Sequence, residues 1–364
     1  MCARGALGRT ALSFGLARAP DAKISAIVRF GILGVSMSRW SRSPVRCCLA
    51  VLAAALSLGF SAPASAPRSG EPYPGPYWVN PVGPAARQVT EWRGAGRAAD
   101  AELIERISLR PQADWPRPEG IEQSVRALTG DAARAGRMPV LVAYNIPHRD
   151  CGGLSQGGAE DAASYRAWIE AFARGIGDRP ATVIVEPDAI AHLVSGCPGA
   201  PSAERLSLLA HAVGQLKRGP ATKVYLDAGH SGWVTDQSTL LGPLREAGVD
   251  RADGFSLNVS AFQTTASSAE YGHRLSAALG GKHFVVDTSR NGNGPYADGE
   301  DPWCNPPGRA LGTPPTIATG DALIDAYLWV KRPGESDGTC RGGPAAGRWW
   351  PEYALGLARA AGAA

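Results

Sequence analysis

Short apolar runs alternate with helix-length segments along this chain, and each apolar run ends abruptly in a polar loop. Six runs have the length and composition of buried strands: 139–143, 181–185, 223–227, 252–259, 283–287 and 326–330. Between them, segments such as 159–176 and 203–218 repeat apolar residues at helical spacing. Strands that alternate with helices predict a parallel sheet, and six of them predict an α/β barrel.

The region before the first strand predicts less regular structure. Residues 98–108 fit a helix or an approach to a strand, and residues 121–135 fit an amphipathic helix. The chain has no internal repeat and no low-complexity linker. We therefore predict one domain at 77–364, preceded at 67–76 by a flexible segment rich in proline, glycine and serine.

Residues 1–66 are predicted to be an N-terminal extension and a secretory signal peptide. Three arginines after Met37 form a basic region, residues 47–60 form an apolar region, and small residues near Ala64 or Ala66 form a cleavage site. The apolar run is too short to span a bilayer comfortably. We expect translation to start at Met37, and the mature protein to be secreted without membrane association.

Removal of this leader reverses the net charge of the chain. The full sequence has 37 basic and 33 acidic residues, a net charge of +4. Eight of the basic residues and one of the acidic residues precede position 67, which leaves 29 basic and 32 acidic residues and a net charge of −3. No basic stripe remains in the mature chain, which argues against nucleic acid as a partner.

Four cysteines follow the leader: Cys151, Cys197, Cys304 and Cys340. An even number in an exported chain predicts two disulfides, for which three pairings are possible. No pair has the Cys-x-x-Cys spacing of a zinc or redox site. The chain also has no Gly-x-Ser-x-Gly elbow, no phosphate-binding loop and no Gly-x-Gly-x-x-Gly motif. We therefore expect no metal and no cofactor.

Carboxylates follow the predicted strands, at the edge where a parallel barrel places its active site. They are Asp150, Glu186, Asp188, Asp227, Asp287, Glu335 and Asp337. The chain also has ten tryptophans, several of them in the same loops. Aromatic faces stack on pyranose rings, and carboxylates act on the glycosidic oxygen. This combination indicates an enzyme that acts on a sugar polymer.

Two of these loops resemble the two signatures of glycoside hydrolase family 6, the inverting cellulases. Residues 142–157 read VAYNIPHRDCGGLSQG and residues 183–190 read VIVEPDAI. Four further blocks resemble that family in the same order, at 227–233, 287–292, 301–305 and 331–337. The resemblance covers nearly all of the mature chain and is of the actinobacterial endo-β-1,4-glucanase type. It implies the family's distorted parallel (β/α) barrel, as a single domain with two disulfides.

The resemblance implies catalytic roles for four residues. Asp188 would be the general acid, kept protonated by its apolar strand and by neighbouring carboxylates. Asp150 would tune that proton and relay one from the attacking water. Asp337 would be the base, directly or through a water chain, with the acid and base carboxyls roughly 6.5–9.5 Å apart. Tyr144 would press on the sugar at the cleavage point and favour a distorted ring.

The resemblance also implies a substrate-binding set: Trp115, Asp227, His230, Trp233, Asn258, Trp303, Asn305, Lys331 and Glu335. Within it, Asp227 would support the site, and His230 and Trp233 would line the leaving-group side. The family pairs the cysteine of the first signature with one after the second, and the two late cysteines with each other. This implies the disulfides Cys151–Cys197 and Cys304–Cys340.

Some of these residues also have a simpler interpretation. Asp188 taken alone fits a helix N-cap, and Asp287 is expected only to accept hydrogen bonds from the backbone. Trp329 is expected in the core. Five histidines lack metal-ligand spacing and are expected at the surface or in packing, with only the first bordering substrate: His148, His192, His211, His273 and His283.

Together these patterns predict a secreted, monomeric, inverting endo-β-1,4-glucanase that hydrolyses cellulose or soluble β-glucan. Only residues 341–348 separate Cys340 from Trp349, which is too short for the loops that roof the cleft in exo-acting relatives. An exo-acting cellobiohydrolase of the same family is the first alternative, and a non-catalytic carbohydrate-binding protein is the second. A rapid fall in the viscosity of soluble cellulose would indicate endo action, whereas binding without turnover would indicate the second alternative.

Overall fold

The computed structural model describes residues 73–197 and 202–362. The signal peptide and the start at Met37 therefore lie outside the described residues. The strands are β1 Val140–Ala143, β2 Ala181–Val185, β3 Thr222–Asp227, β4 Gly254–Leu257, β5 His283–Asp287 and β6 Ile324–Leu328. The helices are α1 Pro84–Gly94, α2 Ala98–Ser108, α3 Ile121–Arg134, α4 Ala162–Ile176, α5 Ala189–Val194, α6 Ser202–Leu216, α7 Ser238–Glu246, α8 Thr265–Ala278 and α9 Pro351–Ala360.

The six strands form one curled sheet in the order β1 to β6, and every neighbouring pair is parallel. This confirms the predicted α/β fold of the distorted barrel type. Both boundaries of β6 differ from the prediction, since the strand covers residues 324–328 rather than 326–330. The backbone N–H groups of Val330 and Lys331 donate to the Asp287 carboxylate, at 3.2 and 2.9 Å, so the chain leaves the sheet there.

A short segment before α3 lies between β1 and the chain that follows β6. The N–H of Ala113 donates to the Trp329 carbonyl at 2.9 Å. Asp114 exchanges backbone hydrogen bonds with the β1 side, donating to Val140 and accepting from Val142, each at 2.9 Å. These bonds satisfy backbone groups that would otherwise be left unpaired at the two edges of the sheet. They also bring the next residue, Trp115, to the carboxyl ends of the strands.

The alternation of side chains along the strands gives the sheet two apolar faces. Inward-facing residues of five strands form a core inside the curled sheet: Val140, Val142, Ile184, Tyr225, Val285, Ala326 and Leu328. The outward-facing residues pack against the helices, as Leu141 and Val183 do together with Trp168 and Phe172 of α4. A further cluster joins α1, α2 and α9, and it contains Trp329, whose predicted place in the core is confirmed.

Two disulfides tie together loops at the carboxyl edge of the sheet. Cys151 is bonded to Cys197, with Cα atoms 5.7 Å apart, and Cys304 is bonded to Cys340, with Cα atoms 6.3 Å apart. The pairing implied by the family resemblance is therefore confirmed. None of the helices within residues 73–197 and 202–362 combines the length and the apolar character of a membrane span.

Candidate active site

The loops after the strands turn at non-glycine residues with positive φ. Asp150, Glu186, Asp188 and Asn258 have φ angles of 57°, 46°, 71° and 65°. Such conformations are costly for L-residues, and they cluster at functional sites. Asp188 precedes α5 in this conformation, and its side chain makes no capping hydrogen bond to the helix. Asp188 therefore occupies the N-cap position of α5, as the simpler interpretation expected, but its side chain does not cap the helix and is left for another role.

Asp188 lies directly against a second carboxylate. Its backbone N–H donates to Asp227 Oδ2 at 2.9 Å, and Asp227 also accepts hydrogen bonds from the Gly229 N–H and the Ser256 hydroxyl. Burial raises the pKa of Asp227 to about 6, although these hydrogen bonds oppose the shift. Burial, followed by the charges of Asp227 and Asp150, raises the pKa of Asp188 well above its ordinary value. A half-buried carboxylic acid that keeps its proton near neutrality is suited to general acid catalysis.

Asp150 lies next to this acid, together with an imidazole. One carboxylate oxygen of Asp150, one of Asp188 and a ring nitrogen of His192 all lie within 4.8 Å of one another. Asp150 Oδ2 accepts a hydrogen bond from the Ser155 N–H at 2.6 Å, which fixes the carboxylate within its loop. His192, predicted to be a surface or packing residue, packs its ring against Trp233. It also lies beside both carboxyls, one helical turn after Asp188.

Tyr144 and Trp115 form an aromatic corner at the carboxyl end of β1. Their rings meet edge to face, with centroids 5.3 Å apart, and the Trp115 Nε1 donates to the Val330 carbonyl at 2.8 Å. The Arg149 guanidinium lies over the Tyr144 ring at 4.8 Å. Burial, followed by the charges of Asp188 and Asp150, raises the pKa of Tyr144 well above its ordinary value. The phenol therefore stays neutral and presents a rigid aromatic surface close to the acid.

Asp337 is a buried anion surrounded by positive charge. Arg290 Nη1 contacts its two carboxylate oxygens at 3.0 and 2.8 Å, Lys331 Nζ lies 3.2 Å from Oδ1, and the Asn305 N–H donates to Oδ2 at 3.0 Å. Burial alone would raise the pKa of Asp337, but Arg290 and Lys331 outweigh it and leave the pKa below its ordinary value. Asp337 therefore stays ionised under conditions in which Asp188 is protonated.

Glu335 belongs to a second buried ionic group in the same loop. Arg332 bridges Glu335 Oε1 at 2.8 Å and Asp114 Oδ1 at 2.9 Å. Burial would lower the pKa of the Arg332 guanidinium, but the two carboxylates outweigh it and raise the pKa. Lys331 Nζ donates to the Ser336 carbonyl in addition to its contact with Asp337. These contacts order the loop after β6 through charge rather than through regular secondary structure.

Two amide side chains from the predicted substrate-binding set are buried and committed to other bonds. Asn258 Nδ2 donates to the carbonyls of Gln263 and Asp287, and its Oδ1 accepts from the Gln263 N–H. Asn305 Oδ1 accepts from the Asp337 N–H, and its Nδ2 donates to carbonyls of the same loop. Neither amide is available to a sugar hydroxyl, because both hold loop backbone in place. The structure thus corrects their expected role.

Asp287 has the role expected of a loop carboxylate. It accepts backbone N–H groups from Ser260, Ser289, Val330 and Lys331. It is buried and makes no direct bond to Asp188 or Asp337. Its hydrogen bonds connect the loops that follow β4, β5 and β6. The prediction that Asp287 only bonds backbone amides is confirmed.

Of the remaining predicted binding residues, Trp303 is exposed, whereas His230 and Trp233 are half-buried. The indole of Trp233 packs against His192 and His230, with centroids 4.7 and 6.0 Å apart. His230 Nδ1 is buried without a protein partner, and burial lowers the pKa of His230 to about 4. Trp303 is 49% exposed, the largest exposed aromatic surface among the described residues. An exposed indole beside a disulfide-tied loop is suited to stacking on a sugar ring.

Glu186 has a supporting role that sequence patterns did not specify. Its carboxylate accepts hydrogen bonds at 3.0 Å from the backbone N–H groups of Asn145 and Ile146. Burial raises the pKa of Glu186 to about 7, against the effect of these bonds. Glu186 thereby ties the loop after β2, which carries Asp188, to the loop after β1, which carries Tyr144 and Asp150.

Asp150, Asp188 and His192 are close enough together to admit a small cation. Carboxylates are commonly this close without one, and burial together with neighbouring carboxylates already accounts for the raised pKa of Asp188. We therefore interpret the cluster as a set of proton-carrying groups and assign no metal to it.

Comparison with known proteins identifies this arrangement. The family model described as "Glycosyl hydrolases family 6" matches residues 74–361. The chain belongs to glycosyl hydrolase family 6. Endoglucanase A of Cellulomonas fimi is 46% identical over 282 residues, which is 76% of this chain and 60% of that protein. Endoglucanase 1 of Streptomyces halstedii is 42% identical over 290 residues, which is 76% of this chain and 87% of that protein.

A solved family 6 structure supports the same assignment. The endoglucanase Cel6 of Mycobacterium tuberculosis, in complex with a methyl-cellobiosyl-4-deoxy-4-thio-β-D-cellobioside, is 47% identical with a TM-score of 0.74. The match covers 79% of this chain and 97% of that one. The matched region spans only 60% of the C. fimi endoglucanase and 66% of Endoglucanase A of Thermobispora bispora, so these relatives are longer than the shared domain.

Proposed function

We propose that this family 6 protein is a secreted, monomeric, inverting endo-β-1,4-glucanase that hydrolyses internal bonds of cellulose or soluble β-glucan. Its catalytic domain is the predicted 77–364, exported by the leader at 1–66 and preceded by the short flexible segment 67–76. The endoglucanase names of the similar proteins from C. fimi, S. halstedii and M. tuberculosis support the substrate class. No metal or cofactor takes part in this proposal.

The main support for the proposal is that the pKa values of two carboxyls, Asp188 and Asp337, are shifted in opposite directions by their surroundings. Burial and neighbouring anions raise the pKa of Asp188, whereas Arg290 and Lys331 outweigh burial and lower the pKa of Asp337. A protonated and an ionised carboxyl within one site are the requirement for acid and base roles in glycoside hydrolysis. Asp188 protonates the glycosidic oxygen as the bond breaks.

Asp337 acts on the nucleophilic water through a water chain in this proposal. Its two oxygens already contact Arg290, Lys331 and the Asn305 N–H, and its side chain is nearly inaccessible. A carboxylate held in this way contributes negative charge more readily than it accepts a proton directly. Asp150, which lies beside Asp188, receives the proton that the water chain carries away from the nucleophile, and Asp337 supplies only the negative charge that orients this chain.

The aromatic residues position the glucan around this centre. Tyr144, fixed by Trp115 and Arg149, contacts the sugar at the cleavage point. Trp233 and His230 line the leaving-group side, and Trp303 extends the binding surface on the other side. Asp227, Lys331 and Glu335 act by holding Asp188 and the loop after β6 in place.

The stereochemistry of the first product tests the proposal. The mature chain is mixed with a soluble cello-oligosaccharide, and the anomeric protons are followed by NMR during the first minutes. An inverting enzyme releases the α-anomer first, which then mutarotates, whereas initial release of the β-anomer would contradict the mechanism. In parallel, a fall in carboxymethylcellulose viscosity that precedes the release of many reducing ends supports endo action, and the reverse order supports the exo alternative.

A further inference from the structure

His192 contacts both Asp188, the proposed general acid, and Trp233, which lines the proposed leaving-group side. Its backbone N–H donates to the Asp188 carbonyl at 2.8 Å, and its carbonyl accepts the Cys197 N–H at 3.0 Å. Its ring meets the Trp233 indole nearly edge-on, at 75° and a centroid distance of 4.7 Å. The backbone and the ring thus each have a defined orientation within the site.

The ring nitrogen Nε2 of His192 faces one oxygen of Asp150. It lies 3.6 Å from Asp150 Oδ1, and the two side chains are 20% and 22% exposed. The other oxygen, Oδ2, already accepts the Ser155 N–H. An imidazolium in this position is close enough, and shielded enough from water, to stabilise the ionised form of the carboxylate.

Other charged groups around His192 have different partners. Arg205 of α6 donates to the carbonyls of Pro147, His148 and Ala189, and Arg149 donates to the carbonyls of Tyr144, Ser155 and Gln156. Lys331 contacts Asp337. These guanidinium and ammonium groups are bonded to loop carbonyls or to Asp337, whereas the His192 imidazole faces Asp150 directly.

The remaining neighbours do not compete for this position. Asp188 is the other acid of this cluster, and His230, on the Trp233 side, has its pKa lowered by burial to about 4. Helix α7 packs against α5 and carries Arg245 and Glu246 in its last turn, where Arg245 donates to the Ala278 carbonyl. His192 is therefore the side chain placed against the open oxygen of Asp150.

We propose that His192 is a positioning residue for glucan hydrolysis, and that its imidazolium keeps Asp150 ionised and directed at Asp188 in the acidic part of the working range. This inference rests on the proposed function. An ionised Asp150 accepts the relayed proton and also keeps the neighbouring Asp188 protonated by charge repulsion. Loss of the imidazolium lets Asp150 take up a proton at a higher pH, which removes both effects.

The test is the pH profile of kcat/KM on a soluble cello-oligosaccharide, measured with EDTA present, for the full chain and for His192→Gln. The acidic limb of the variant is expected to move to higher pH than that of the wild type, because removal of a nearby cation disfavours an ionised carboxylate. His211→Gln is the matched control. His211 is 19% exposed and lies 3.2 Å from Glu170, so it forms a similar pair away from the site. Its acidic limb is expected to coincide with that of the wild type.

The outcomes separate this inference from the proposed function. A wild-type chain without glucanase activity refutes the function itself. An active wild type, with an acidic limb that is unchanged in His192→Gln, overturns the role of His192 and leaves the function standing. If His192→Gln does not fold, His192→Asn provides the second variant. An acidic limb of His192→Asn that coincides with that of the wild type overturns the inference.

Discussion

Arg290 holds Asp337 from inside the protein. One guanidinium nitrogen lies 3.0 and 2.8 Å from the two carboxylate oxygens, and the guanidinium, which is completely buried, lies over the Phe262 ring at 4.3 Å. Separating two buried charges is costly, because each then faces an apolar interior without a partner. The pair therefore fixes the position of Asp337 and also maintains its negative charge.

Replacement of this carboxylate tests both consequences. Asp337→Asn is expected to lower kcat on carboxymethylcellulose by about 10²- to 10⁴-fold, since the anion opposite the acid is lost. It is also expected to lower the free energy of unfolding by about 3–5 kcal/mol, because Arg290 is left buried and unpaired. Enzyme kinetics and urea unfolding measure the two effects.

A surface carboxylate with two arginine partners provides the control. Asp100 pairs with Arg97 and Arg359 in an exposed group, where ion pairs contribute little to stability, so Asp100→Asn is expected to leave the unfolding free energy and kcat nearly unchanged. Wild-type activity in Asp337→Asn would contradict the role given to Asp337.

The pKa of Glu186 predicts a loss of stability as pH rises. Burial raises this pKa from its ordinary value of 4.5 to about 7, so the folded state favours the protonated form. The resulting stabilisation is fully present below pH 4.5 and is lost as the pH rises through 7, with a total change of about 3 kcal/mol. Urea unfolding at pH 4.5 and pH 7.5 is expected to show a smaller decrease in Glu186→Gln than in the wild type. Equal decreases would refute this account, and Glu122→Gln, at an exposed carboxylate, is the control.

Both disulfides are expected to contribute to stability to a similar degree. Their cysteines are 46 and 36 residues apart, and closure of loops of this length removes about 4 kcal/mol of unfolded-state entropy in the simple chain model. Cys304→Ser combined with Cys340→Ser should therefore lower Tm clearly, as should the corresponding pair at positions 151 and 197. Calorimetry of the oxidised and reduced wild type provides the comparison, and an unchanged Tm after reduction would contradict the prediction.

Glucanase activity is expected to be independent of metal ions. Although Asp150, Asp188 and His192 are close enough to admit a cation, their arrangement is explained here by proton transfer. Dialysis against EDTA should leave kcat on carboxymethylcellulose unchanged, and added divalent cations should not increase it. Loss of activity on chelation, restored by one particular metal, would replace the proton-sharing interpretation of this cluster.

The sequence predicted the fold well because its strands are buried and end in distinctive loops. The predicted bounds of β2 and β5 agree with the structure, and β1 and β3 differ by one residue at one end. The end of β6 was misplaced because apolar residues continue to position 330. In the structure, the backbone N–H of Val330 instead donates to the side chain of Asp287, which lies 43 residues earlier in the chain. Hydrophobic periodicity carries no information about such a long-range bond.

The site was only partly predictable for the same reason. Family motifs placed Asp188, Asp150 and Tyr144 together, but they did not distinguish side chains that reach the open site from those committed to loop backbone, such as Asn258. Arg290 lies in the family-like block 287–292, and the sequence predicted no role for this arginine. Its ion pair with Asp337 forms between the loops after β5 and β6, and the sequence does not show that these loops are in contact. His192 had one available signal, its position four residues after Asp188 in a helical segment, which places the two on the same helix face.

Hydrolysis of carboxymethylcellulose by the mature chain and by Asp188→Asn tests the central claim most directly. Binding of cello-oligosaccharides by both proteins confirms that the variant is folded. The wild type is expected to lower the viscosity rapidly, and Asp188→Asn is expected to lose about 10²-fold or more of the activity, because the sugar hydroxyl is a poor leaving group without a proton. Full activity in the variant would contradict the assignment of the acid. A wild-type chain that binds but does not hydrolyse the polymer would identify a carbohydrate-binding protein instead.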